Sequence, residues 1–90
     1  MRKKNTQMLN EIIGDVLKKF LEMKIVNSWE DVVGTYIYKS TQDIYVSDQK
    51  LFVKINSSII KKEVMLISKE LLNRLNQKVG AEIIKEIVLK

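Results

Sequence analysis

The residues of this chain that could do chemistry are its cations, and what they could do is neutralise phosphate. Arg2, Lys3 and Lys4 open the chain, Lys18 and Lys19 follow, and Lys54, Lys61 and Lys62 stand near its middle. Such side chains displace counterions from a nucleic-acid backbone but read no base. Binding to DNA or RNA, where it occurs, is therefore expected to be weak, sequence-tolerant and steeply salt-dependent. Sixteen Lys and Arg against 11 Asp and Glu leave a net charge of +5, a balance that ordinary soluble domains share. For any single lysine a solvated surface position, among Glu63, Glu70 and Glu86, is the default reading.

Other chemistries are excluded by residue type. The chain has no cysteine and no histidine, so it cannot build the usual zinc sites, thiol nucleophiles or Ser-His triads. Its three glycines, Gly14, Gly34 and Gly80, stand far apart and form no phosphate-cradling loop or dinucleotide fingerprint. Acidic residues scattered over helix faces do not make acid-base catalysis without a pocket. A non-enzyme without cofactor or metal is expected.

These cations must be positioned by one small domain, because 90 residues allow no more. A basic arm, residues 1–5, is expected to precede a single domain over residues 6–90. Met8, Leu9, Ile12, Ile13, Val16, Leu17, Phe20 and Leu21 recur at helical spacing and predict a first helix from Thr6 to Met23. Ser28 and Asp31 form a capping-box pattern, predicting a second, short helix with Trp29, Val32, Val33, Tyr36 and Ile37 on one face. Gly34 inside it, at a cost of about 1 kcal/mol against alanine, suggests close backbone packing.

From Asp43 the period becomes two. Ile44 and Val46, then Leu51, Val53 and Ile55, alternate with Tyr45, Phe52 and Lys54, predicting a hairpin turned at Ser47-Asp48-Gln49-Lys50. Asn56-Ser57-Ser58 offers N-caps for a long helix from Ile59 to Lys78, striped by Ile60, Val64, Ile67, Leu71 and Leu75. Gly80 should end it in a left-handed conformation, and Ile83 to Leu89 predicts a third strand. The expected fold is α+β, two layers in the order α-α-β-β-α-β, with a three-stranded mixed sheet against the helices. Its core is expected to draw on Trp29, Val33, Gly34, Leu51, Val53, Ile55, Val64, Ile67, Leu71, Leu75 and Gly80. No apolar run exceeds four residues, far short of the roughly 20 that cross a bilayer, and a cytoplasmic protein without membrane contact is expected.

Three ordered motifs, Trp29-Glu30-Asp31-Val32-Val33-Gly34, the stretch DQKLFVKINSS from Asp48 to Ser58, and Leu71-Leu72-Asn73-Arg74-Leu75-Asn76-Gln77-Lys78-Val79-Gly80, together with an isoleucine-rich last strand, resemble the DciA family of bacterial proteins. Ile60 stands where many members have tryptophan, and Ser40 where many have histidine. The resemblance covers nearly the whole chain and implies a KH-like domain of the second topological type. It also implies a partner, the replicative helicase, whose loading on DNA such proteins assist without hydrolysing ATP.

KH modules clamp the nucleic-acid backbone with a Gly-x-x-Gly loop, which this chain lacks, so lysines would carry any nucleic-acid contact. The alternative to a replication accessory role is a general KH-like DNA- or RNA-binding module with no helicase partner. Trp29, on an apolar helical face, reads as core rather than as a base-stacking platform. Tyr45 and Phe52 lie on the strand face opposite Ile44 and Leu51, either open to a partner or covered by the first helix. A monomer, or a weak dimer through an exposed strand edge, is expected.

Overall fold

The first third of the chain is one helix, α1 (Arg2–Val33), 32 residues long. The computed structural model describes the backbone of residues 2–90 and the side chains of residues 14–90. The arm cations Arg2, Lys3 and Lys4 and the apolar Met8, Leu9, Ile12 and Ile13 lie outside the residues whose side chains are described. Two helices parted before Ser28 were expected, and the helix runs through Ser28 instead. No glycine or proline interrupts residues 15–33, and propagating a helix costs far less than nucleating a second one. Ile25 and Trp29, one turn apart, are both fully buried, so core packing continues across the expected gap.

Gly34 ends α1. Its amide still donates to the Glu30 carbonyl at 2.8 Å, but its φ of 89° and ψ of 165° lie in a region essentially reserved for glycine. It is exposed, and a Cβ there would meet nothing within 4 Å. The reason for this glycine is its backbone angle, which corrects both the expected close packing and its place in the core. The chain restarts as α2 (Thr35–Lys39), and this reset exposes Tyr36 while burying Ile37.

Strands β1 (Thr41–Ser47) and β2 (Lys50–Ile55) form the expected antiparallel hairpin, with Ser47 opposite Lys50. Its two turn residues, Asp48 and Gln49, have φ of 52° and 60°, the signature of a type I′ turn made without glycine. Gln49→Gly should therefore raise stability by about 0.5–1 kcal/mol, the relief of a left-handed non-glycine residue less the added unfolded-state entropy. For a domain of this size that is a rise in melting temperature of roughly 2–8 °C. A variant melting at or below the wild-type temperature would show that the turn is unstrained.

Ser57 caps the next helix, accepting from the Ile60 amide at 3.3 Å. The expected single helix is two, α3 (Ser58–Leu66) and α4 (Ser68–Val79), parted at Ile67 with φ −110° and ψ 14°. The Ile67 amide bonds back three residues to Val64 at 3.2 Å, so the stripe shifts phase. Ile60 and Val64 remain buried, as do Leu71 and Leu75, but Ile67 is 39% exposed and leaves the core. Gly80 adopts the left-handed cap, φ 83°, with its amide 2.8 Å from the Asn76 carbonyl. It too is exposed, and it acts through conformation rather than burial.

The last strand, β3 (Glu86–Leu89), pairs parallel with β2 and leaves β2 central in the order β1-β2-β3. The α3–α4 pair makes the crossover that parallel pairing demands. The result is the α+β two-layer fold with a mixed three-stranded sheet, its last helix split in two, an order compatible with a KH-like domain. Leu51, Val53 and Ile55 of β2 meet Ile25, Trp29, Ile37, Ile60, Val64, Leu71, Leu75 and Ile84 in one core, with Val33 half-buried against it.

Candidate functional site

Strand parity decides which side chains share the sheet's outer face. Leu51, Val53 and Ile55 point to the helices, so Lys50, Phe52 and Lys54 of the central strand point away from them. The register sets Tyr45 beside Phe52 and Val88 on its other flank, a row across all three strands. Tyr45 and Phe52 stack with centroids 5.0 Å apart and planes 12° from parallel. Lys90 leans over both rings, its Nζ 5.3 Å from the Tyr45 centroid and 5.1 Å from that of Phe52, and donates to the Tyr45 hydroxyl at 2.8 Å. The helices pack chiefly on the other side, α1 reaching only the β1 edge, where Lys19, Glu22 and Met23 share a groove with Tyr45, and Tyr45 stays 39% exposed with Phe52 half-buried. Of the two readings of this face, the open one holds.

The cations singled out from the sequence do not form one patch. Lys54 lies on the outer sheet face, whereas Lys61 and Lys62 ride on α3 in the helical layer. Lys18 and Lys19 are exposed on α1, and Lys19 lines a groove between α1 and β1 with Met23, Val26, Ile44 and Tyr45. Among the described residues the ion pairs are Arg74–Glu70 at 2.9 Å and Lys78–Asp31 at 3.3 Å. None of these lysines, nor Lys50 or Lys90, is held by a described carboxylate. Lys50 and Lys90 were missed from the sequence, although Lys50 stands two residues from Phe52 and so on its face.

A second surface surrounds the α3–α4 junction. Ile59, Lys62 and Leu66, spaced three and four apart, line one side of α3, and Leu66 is 86% exposed. On its flank Lys61, Met65 and Ser68 border a groove completed by Ile87 and Leu89 of β3. Exposed apolar side chains beside lysines that no described carboxylate pairs make a surface suited to another protein, since apolar anchors carry affinity while charge steers encounter. Among the described residues no group of three or more acidic side chains could hold a metal ion.

No protein with a curated description matches the chain. A family model described as "Dna[CI] antecedent, DciA" matches residues 5–89, spanning α1 through β3 and all three motifs read from the sequence. The chain thus belongs to the DciA family.

Proposed function

We propose that this protein binds the replicative helicase and assists its placement on DNA, using no nucleotide of its own. Membership of a family involved in replicative-helicase loading supports the role, and the wide separation of the three glycines supports the lack of ATP chemistry. The observation that carries the contact surface is the exposed apolar group Ile59, Met65, Leu66 and Ile67 around Lys61 and Lys62. The chain has no Gly-x-x-Gly to clamp a nucleic-acid backbone, and its helix junction offers large apolar side chains. That chemistry favours a protein partner there. No described helix is long and apolar enough to cross a membrane, and the cytoplasm, where the helicase works, is the proposed location.

The test is capture of purified hexameric helicase by the tagged chain, with helicase loading on forked DNA as the second readout. Lys61→Glu with Lys62→Glu, and separately Leu66→Asp, should each weaken capture about tenfold or more, as loss of an interface anchor does. Stability should fall by no more than about 1 kcal/mol, because these side chains contribute little to folding. Normal capture by both variants would rule out this surface. A wild-type protein that brings down nucleic acid but no helicase, and leaves loading unchanged, would replace the accessory role by a general nucleic-acid-binding one.

A further inference from the structure

The outer sheet face is not explained by helicase binding at the α3–α4 junction, which lies in the other layer. Its central strand reads Lys50, Phe52, Lys54 along the outward side, so an aromatic ring sits between two cations. Tyr45 extends the ring surface to the edge strand β1, and Lys90 adds a third cation above the pair. The two acids of this face, Asp43 and Glu86, occupy its corners on the edge strands, opposite Lys54 and Lys50 in the register, and neither forms an ion pair with a described lysine. Cations are therefore central and anions peripheral.

An apolar peptide would not need three lysines here, and a duplex would hide its base faces from Tyr45. A single strand uses both features, because bases stack on aromatic rings while phosphates meet the flanking cations. Sheets that present aromatic rings to unpaired bases are one of the recurring modes of single-strand recognition. The Tyr45–Phe52 pair stands nearly parallel at 5.0 Å, so the rings are already aligned before a base arrives. Lys90 holds the Tyr45 hydroxyl at 2.8 Å, which limits the ring's freedom and so the entropy lost on binding.

We propose that the outer sheet face, through Tyr45, Phe52, Lys50, Lys54 and Lys90, binds single-stranded DNA by base stacking. The choice of DNA over RNA rests on the replication reading above; the stacking surface itself does not. Helicase capture through α3 and DNA binding through the sheet would then occupy opposite layers and could occur together.

Fluorescence anisotropy with a labelled twenty-nucleotide oligo-dT tests this directly. Tyr45→Ala should weaken binding about 5- to 150-fold, the range for one stacked base, and Tyr45→Leu, which keeps apolar bulk on the sheet, should weaken it comparably while folding normally. Tyr45→Phe should bind within about twofold of wild type. Lys50→Gln with Lys54→Gln should lower the log-log salt slope by about 1.4, that is about 0.7 per phosphate contact for single strands. An abasic oligomer of equal length should compete poorly. Tyr45→Ala and Tyr45→Leu should both still capture the helicase, so loss of oligonucleotide binding with capture intact separates this site from the proposed helicase surface. Wild-type affinity in Tyr45→Leu, equal competition by the abasic oligomer, or tighter binding of oligo-rU or blunt duplex would each overturn the proposal.

Discussion

Trp29→Ala is expected to lower stability by about 3–5 kcal/mol, the cost of truncating a large buried aromatic side chain. The indole is 0% exposed, and its Nε1 donates to the Thr41 hydroxyl at 3.0 Å, which in turn donates to the Ile37 carbonyl at 3.0 Å. One side chain thus joins α1, the middle of α2 and the first residue of β1. Truncation leaves a cavity and also removes the partner that fixes the Thr41 hydroxyl. A domain of this size has roughly 5–10 kcal/mol to lose, so the variant should be substantially unfolded at 37 °C. Denaturant titration followed by far-ultraviolet circular dichroism measures this without relying on the tryptophan signal. Trp29→Phe, which keeps most of the ring but not the N–H donor, should recover more than half of the loss. An alanine variant that melts within a degree or two of wild type would place Trp29 on the surface and revive a stacking role for it.

How much of this was legible depended on whether the signal was local. The hairpin could be read because alternation from Ile44 to Ile55 is a backbone property of period two, and that parity put Tyr45 and Phe52 on one face, while their pairing comes from the register the Asp48-Gln49 turn sets. Gly80 could be read for the same reason, since a left-handed cap needs glycine wherever the helix ends. Ser28 misled, because a capping pattern is available to any serine but is used only where a helix begins, and burial of Ile25 and Trp29 decided that none begins there. Ile67 misled in the opposite direction. Its spacing continues the stripe from Val64 to Leu71, and only the three-residue hydrogen bond at the kink turns it outward.

The cations show the limit of sequence reading most clearly. Lys54, Lys61 and Lys62 are close in the chain, yet a strand and a helix carry them into different layers. Lys90 meets Tyr45 from 45 residues away, and that meeting depends on the parallel register of β3, which the crossover through α3 and α4 sets. Residue type raised the expectation of phosphate contact, while the topology divided the lysines between two surfaces of different character.

That register is secured by a residue whose importance no composition or periodicity announces, and Asn76→Ala is expected to cost about 2–4 kcal/mol. The Asn76 Oδ1 accepts from the amides of Ile83 at 3.0 Å and Ile84 at 3.1 Å, and its Nδ2 donates to the Ile84 carbonyl at 2.8 Å. Its own carbonyl accepts from Gly80 and Ala81 at 2.8 and 3.2 Å, so one residue organises the whole turn from α4 to β3. Each intramolecular hydrogen bond contributes about 0.5–1.5 kcal/mol net, and a buried group left without a partner costs more. Ile84 is fully buried, so water cannot readily replace the lost amide. The damage should be directional: in hydrogen exchange, amides of Ile83, Ile84 and residues 86–89 should lose protection before those of the β1–β2 hairpin, because β3 is held to the domain through this turn. Since Lys90 reaches the aromatic pair only when β3 is docked, the same variant should also weaken oligo-dT binding while leaving the hairpin rings in place. Unchanged melting, or uniform loss of protection over all three strands, would show that parallel pairing with β2 holds β3 without Asn76.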